Sequence, residues 1–341
     1  MTSMPFTARR SGIRVAGGRT ATPDDARTVR PRLVRSRLVR PGVVLGLLAL
    51  LAAPAAAQEP MSWSEFRALD RVEADAREVW GEGEDAFGEV YLPEGEGPHP
   101  VVVLVHGGCW QSIAGVGYVS HLARRIAQEG WAVWSPEFRR IDQPGGSWPG
   151  ILEDVGRATD HLRALAPRHD LDLERVVAMG HSSGGHLALW LAARPKLDPL
   201  DPVARALRGD DPLAPVGVVG LAAIADLDDF HRAEGGGCGA RSVERLLDAA
   251  PESWHDRLAL SSPTGALPLG VPQLMVTGAL DATVASAHAE HWAGLARAAG
   301  DPVEVVIPEG AGHFEVVAPW ASTFAPAWRE IADFLRRTEP R

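Results

Sequence analysis

The chain of 341 residues has only two cysteines, Cys109 and Cys238, and a single lysine, Lys196. Two cysteines exclude a disulfide-dense scaffold and a four-cysteine zinc site, and permit at most one bridge. Basic side chains are outnumbered, 34 against 44 acidic, for a net charge of -10. Phosphate backbones are bound by clustered Lys and Arg, so nucleic acid is not an expected partner. The 36 glycines follow no collagen-like period, and no repeat at solenoid spacing is present. What remains, at 45% hydrophobic and 23% charged, is the composition of an ordinary folded protein long enough for one large domain.

The charge is unevenly placed. Ten of the basic residues, all Arg, lie within residues 1–57, which hold only two acids, Asp24 and Asp25. Arg32, Arg35, Arg37 and Arg40 precede an apolar run over residues 43–51, and Ala55-Ala56-Ala57 follows. A basic region, a short apolar stretch and an Ala-x-Ala site are the parts of a secretory signal, with cleavage expected after Ala57. The apolar stretch is short for a spanning helix of about 20 residues. A secreted or periplasmic protein is therefore expected, with no stable membrane insertion after cleavage; a retained anchor is the alternative.

Residues 58–88 are acidic and weakly periodic, and read as a peripheral lead-in. From residue 89 to 338, apolar runs alternate with amphipathic stretches. Strands are expected over residues 101–105, 131–134, 175–179, 216–224, Gln273–Val276 and 303–307. Helices are expected over residues 119–128, 151–165, 187–193, 285–299 and 328–337. The alternation predicts one doubly wound α/β domain with a mostly parallel sheet. A strand-free insertion of about 40 residues, 227–268, is placed to act as a short cap.

Gly180-His181-Ser182-Ser183-Gly184 lies directly between a predicted strand and a predicted helix. A tight turn there needs small residues two before and two after a nucleophile, and only Ser182 has both glycines at that spacing. The backbone N–H of Ser183 then faces a developing oxyanion. A serine hydroxyl needs a base, and the base needs an orienting carboxylate. Asp281 and His313 each follow a later strand, in the order Ser, acid, His that this scaffold uses. Gly107 and Gly108 sit between His106 and Cys109-Trp110, immediately after the first buried strand. A glycine pair there lets backbone N–H groups turn toward the nucleophile.

Together, His106-Gly107-Gly108-Cys109-Trp110, the Ser182 pentapeptide with Gly185-His186-Leu187, the Asp281 loop and Gly312-His313 resemble the α/β-hydrolase superfamily. Within it they resemble the esterase branch that includes feruloyl-esterase-like, hormone-sensitive-lipase-like and kynurenine formamidase enzymes. The resemblance implies an α/β-hydrolase fold, a Ser182–Asp281–His313 triad, and oxyanion donors among Gly107, Gly108, Cys109 and Ser183. It implies hydrolysis of a small-molecule ester, with short acyl chains favoured by the small insertion, and no cofactor. Many members of this branch carry a third glycine where Cys109 stands, a variant nearer the formamidases, so an arylformamidase-like or other amide hydrolase is the second expectation.

Each assignment has a competitor. Ser182 as a plain helix cap would make the chain an inactive binding module on a hydrolase fold. Asp226 and Asp228 also follow a strand and are alternative acids. His106 and His181 are expected to brace the two turns and His186 to pack in the core. His288 and His291 lack the i, i+4 spacing of a helical metal pair, so no metal is expected. Trp110 and Trp148 are candidates to line the substrate pocket. Arg139-Arg140 either steers an anionic substrate or is a solvated loop. In an oxidising compartment Cys109 and Cys238 are able to bridge, holding the insertion over the site; two free thiols are the alternative.

Overall fold

Five consecutive apolar side chains at residues 101–105 leave no polar face for water. The computed structural model, which describes residues 59–338, buries all five at the middle of an eight-stranded sheet. The expected signal segment and its cleavage site after Ala57 lie outside the described residues. In chain order the first elements are α1 (Trp63–Phe66), β1 (Ala76–Val79), β2 (Phe87–Tyr91), β3 (His99–Val105), α2 (Ser120–Ala127) and β4 (Ala132–Pro136). Then come α3 (Gly150–Asp160), α4 (Leu162–His169), β5 (Leu171–His181), α5 (Ser183–Ala193), α6 (Pro202–Arg208) and β6 (Gly217–Leu221). The insertion folds as α7 (Leu227–Arg232), α8 (Ser242–Leu247) and α9 (Trp254–Ser261). The chain closes with β7 (Gln273–Val276), α10 (Ser286–Ala299), β8 (Val303–Val306) and α11 (Phe324–Arg337).

The strand order is β1-β2-β4-β3-β5-β6-β7-β8. Only β1 and β2 run antiparallel to their neighbours; β4, β3, β5, β6, β7 and β8 form one parallel array. Apolar clusters cover both faces, as a parallel sheet requires. Among the described residues no helix is long and apolar enough to cross a membrane.

Three features depart from the sequence reading. Residues 58–88 are not peripheral, because α1, β1 and the start of β2 belong to them and the sheet begins at residue 76. Ala76–Val79 alternates between half-buried and exposed at the sheet edge, so it carries no apolar run to betray it. The helix expected over 151–165 breaks into α3 and α4 at His161, whose ψ of -18° tightens the chain there. The helix expected at 187 starts at Ser183, and all eleven of its residues are buried, which erases helical periodicity. At its end Arg194, 2% exposed, pairs with Asp160 and donates to the carbonyls of Leu207 and Gly156, tying α5 to α3 and α6.

Two links fasten the insertion to the C-terminal edge of the sheet. A disulfide joins Cys109 to Cys238, 129 residues apart, with the Cα atoms 5.5 Å from each other. Beneath it, buried His186 accepts from the Trp110 indole N–H at 3.2 Å and faces the Ser261 carbonyl at 2.9 Å. The carbonyl only accepts, so Nε2 carries the proton and Nδ1 is the acceptor.

These links make two predictions. Closing a loop of that length removes about 4–5 kcal/mol of denatured-chain entropy. Reduction, or Cys109→Ser with Cys238→Ser, should therefore lower the thermal midpoint by several degrees; an unchanged midpoint under reductant would show that the bridge contributes nothing. Burial pushes His186 down from 6.5 to about 4. Between those values the unfolded chain takes up a proton that the folded chain refuses, so stability is full above 6.5 and declines as pH falls to about 4. Urea midpoints measured from pH 7 to 4 should fall, and fall less steeply in His186→Gln.

Candidate active site

Between β5 and α5 the chain reverses within one residue, Ser182, whose backbone takes φ 57° and ψ -122°. A Cβ on Gly180 would stand 2.1 Å from the Gly184 carbonyl oxygen, and one on Gly184 2.2 Å from that of Val105. Only glycine fits at either place, so the spacing read in the sequence is a packing requirement. The strained serine is held by its N–H, which donates to the Leu221 carbonyl at 2.8 Å, and by its own carbonyl, which accepts from Gly185. Ser182 does not stand free at the helix end. It is 2% exposed and reached through a cavity of about 490 Å³ whose wall it shares with His313, Gly108 and Cys109.

Asp281 lies in the loop after β7, its side chain fully buried. One carboxylate oxygen accepts from the N–H groups of Thr283 and Val284, both at 2.8 Å. The other takes Nδ1 of His313 at 2.7 Å. With the proton fixed on Nδ1, the His313 Nε2 lone pair is the one left for a reacting hydroxyl. Ser182 and His313 thus share one cavity wall, with Asp281 bonded to His313, and the three come from separate loops at the C-terminal edge of the sheet.

On the facing side three consecutive residues adopt left-handed backbone: Gly108 at φ 114°, Cys109 at 55° and Trp110 at 59°. The Trp110 N–H is used, donating to the Ser183 hydroxyl at 3.1 Å. Those of Gly107, Gly108, Cys109 and Ser183 meet no acceptor among the described residues. Gly108 and Cys109 line the cavity, whereas Gly107 is pressed against His181 and Ser182. Such N–H groups are what a developing oxyanion needs.

Two buried histidines set these turns. His106 places its ring nitrogens 2.8 Å from the Gly107 carbonyl and 2.9 Å from Glu137, and stacks on Phe138. Burial alone would raise the Glu137 carboxyl, but His106 and Arg140 outweigh it and bring it down to about 2. His181 faces the His313 carbonyl with Nε2 at 2.8 Å, so that nitrogen donates and Nδ1 accepts from the Tyr118 hydroxyl. Burial, with His313 nearby, holds His181 well below the ordinary imidazole range, and burial beside Asp281 pushes the Tyr118 phenol well up. Both are neutral, and together they fix the backbone that carries His313.

Several candidates fall elsewhere. Trp110 is 1% exposed because its indole finds its acceptor, His186, in the core. Trp148 packs beneath Arg257, and neither tryptophan lines the cavity. Arg139 pairs with Asp154 and Arg140 with Glu137 and Asp85, and neither lines the cavity that holds Ser182. Asp226 caps α7 and faces His291, while Asp228 pairs with Arg232 on the surface; neither touches His313. His288 bonds Asp229, and among the described residues no cluster of three metal-ligating side chains occurs. The sequence reading missed Pro60, Met61, Ser62, Trp63, Ile113, Tyr118, Leu280 and Phe314 on the cavity wall. The first four come from the stretch read as peripheral, and nothing in their local pattern marks them.

Comparison with known proteins gives the family of the chain. Residues 89–294 match the family model BD-FAE. Esterase LipC of Mycobacterium tuberculosis is 29% identical over 253 residues, 70% of this chain. Esterase EstD of Thermotoga maritima is 25% identical over 253 residues, 69% of this chain. The chain spans 59% of the length of each of these two. Among solved structures, esterase B of Lactobacillus rhamnosis superposes with a TM-score of 0.66 at 18% identity, over 81% of this chain and 90% of that one. A thermophilic esterase of Thermogutta terrifontis gives 0.61 at 19%, over 77% and 91%. At such identities the structural likeness speaks for the fold, and the family match covers more than half of the sequence. The chain belongs to the BD-FAE family, in the esterase branch of the α/β-hydrolase superfamily.

Proposed function

We propose that the protein is a serine hydrolase of carboxylic esters, acting through an acyl-enzyme on Ser182. The observation that carries this reading is the 2.7 Å hydrogen bond from His313 to buried Asp281, on the wall of the cavity that also holds Ser182. Nε2 of His313 takes the Ser182 proton as the oxygen attacks the ester carbonyl. The oxyanion is received by N–H groups of Ser183 and of the Gly108–Cys109 turn, each worth roughly 3–4 kcal/mol in the transition state. His313 then gives the proton to the departing alcohol oxygen as the C–O bond breaks. Water, deprotonated by the same histidine, releases the acid and restores Ser182.

A cavity of about 490 Å³, to whose wall the insertion contributes Gly237, suits a small ester better than a long lipid chain. The signal-like residues 1–57 and a bridge between the chain's only cysteines favour a secreted or periplasmic location. Hydrolysis of p-nitrophenyl esters of rising acyl length, run beside a feruloyl ester and N-formylkynurenine, tests the reading. Turnover is expected for short esters and should fall with chain length; cleavage of the formamide alone would shift the assignment to an amide hydrolase.

Three substitutions follow. Ser182→Ala should abolish both turnover and labelling by a fluorophosphonate while the fold persists; activity near wild type would remove Ser182 from its role. Asp281→Asn should lower kcat roughly a thousandfold or more, because His313 loses its tautomer and orientation. Asp226→Asn, which keeps a capping oxygen for α7 and loses only the charge facing His291, should leave kcat within a few-fold, and the reverse outcome would make Asp226 the acid.

A further inference from the structure

The wall of the cavity nearest His313 is built by a segment of chain far from it in sequence. Glu315, 6% exposed, accepts the Met61 N–H with one carboxylate oxygen at 2.5 Å and the Gly312 N–H with the other at 3.0 Å. Gly312 directly precedes His313, and a Cβ there would stand 2.5 Å from the Pro60 side chain. Ser62 and Glu65 form a reciprocal capping box that starts α1. Trp63 and Phe66 of that helix then pack on Phe314, with ring centres 5.6 and 5.2 Å away. The segment is thus clamped to the residues on both sides of His313. Pro60, Met61, Ser62 and Trp63 all line the cavity.

Resting on the esterase reading above, we propose that this strap, Pro60 to Trp63, is the specificity-determining wall for the alcohol half of the ester, and that it selects apolar alcohols. His313 must protonate the departing oxygen, so the alcohol lies on the His313 side of the scissile bond. The strap is fastened to that side. The acyl half lies beyond the carbonyl carbon, away from the base. Met61 and Trp63 offer the alcohol a thioether and an indole face, and apolar carbons gain by leaving water against them.

The test uses two ester series on the whole folded protein. Acetates of ethanol, butanol and hexanol vary the alcohol; p-nitrophenyl acetate, butyrate and hexanoate vary the acid. In Trp63→Ala the ratio of kcat/KM for hexyl over ethyl acetate should fall about tenfold, and the butyrate-to-acetate ratio of the p-nitrophenyl series should keep its wild-type value. Met61→Ala should move the first ratio the same way by a smaller factor, and carries the test if Trp63→Ala does not fold. Trp63→Phe should restore most of the ratio. Leu200→Ala, a substitution on the 88%-exposed surface, is the control and should move neither. A loss equal for every acetate, or a changed acyl profile with an unchanged alcohol profile, overturns the proposal. A wild-type protein that hydrolyses neither series and takes no fluorophosphonate sinks instead the esterase reading on which the proposal stands.

Discussion

Burying a carboxylate costs several kcal/mol unless each oxygen finds a donor, and the site is arranged around meeting that demand for Asp281. Its three donors are the N–H groups of Thr283 and Val284 and the ring of His313, so one buried charge sets the acid loop and the base together. The order extends outward from there. The Thr283 carbonyl accepts the Gly237 N–H at 3.0 Å, and Gly237 precedes Cys238, which is bonded to Cys109. Acid loop, insertion and oxyanion turn are thereby one connected unit. Its three members are far apart in sequence and meet only because β3, β6 and β7, which they follow, all point their C-terminal ends the same way.

The parallel core was legible because its strands are continuous apolar runs, and the nucleophile turn because its glycines answer to sterics that act within five residues. Asp281 and His313 were legible from chain order and from their positions after strands. The antiparallel edge strand β1 was not, since the half-exposed Ala76–Val79 has no hydrophobic signature. The cavity wall was less legible still. Met61 and Trp63 acquire their places through Glu315 and Phe314, some 250 residues away, and no local pattern records a contact of that kind. Trp110 and Trp148 misled for the converse reason: an aromatic beside a functional turn is as readily drawn into the core, and the indole of Trp110 had an acceptor waiting there in His186.

Cys109 occupies a position where the backbone is left-handed, at φ 55° between Gly108 and Trp110. Glycine would adopt that conformation at no cost, and a side chain raises it. The bridge to Cys238 supplies a compensating restraint, since it fixes the turn from outside by a covalent bond. Rigidity that a third glycine would have left to the surrounding hydrogen bonds is here provided by the insertion. The cap and the oxyanion turn are consequently not independent modules that sequence drift can alter one at a time.

The strap has a practical side as well. Residues 60–63 form a wall of the cavity that holds Ser182, so the described chain begins beside that cavity. The other end of the described chain is placed differently: Thr338 packs near Gly217, at the start of β6, whereas Ser182 follows the finish of β5, across the sheet. A purification handle belongs after α11 for that reason.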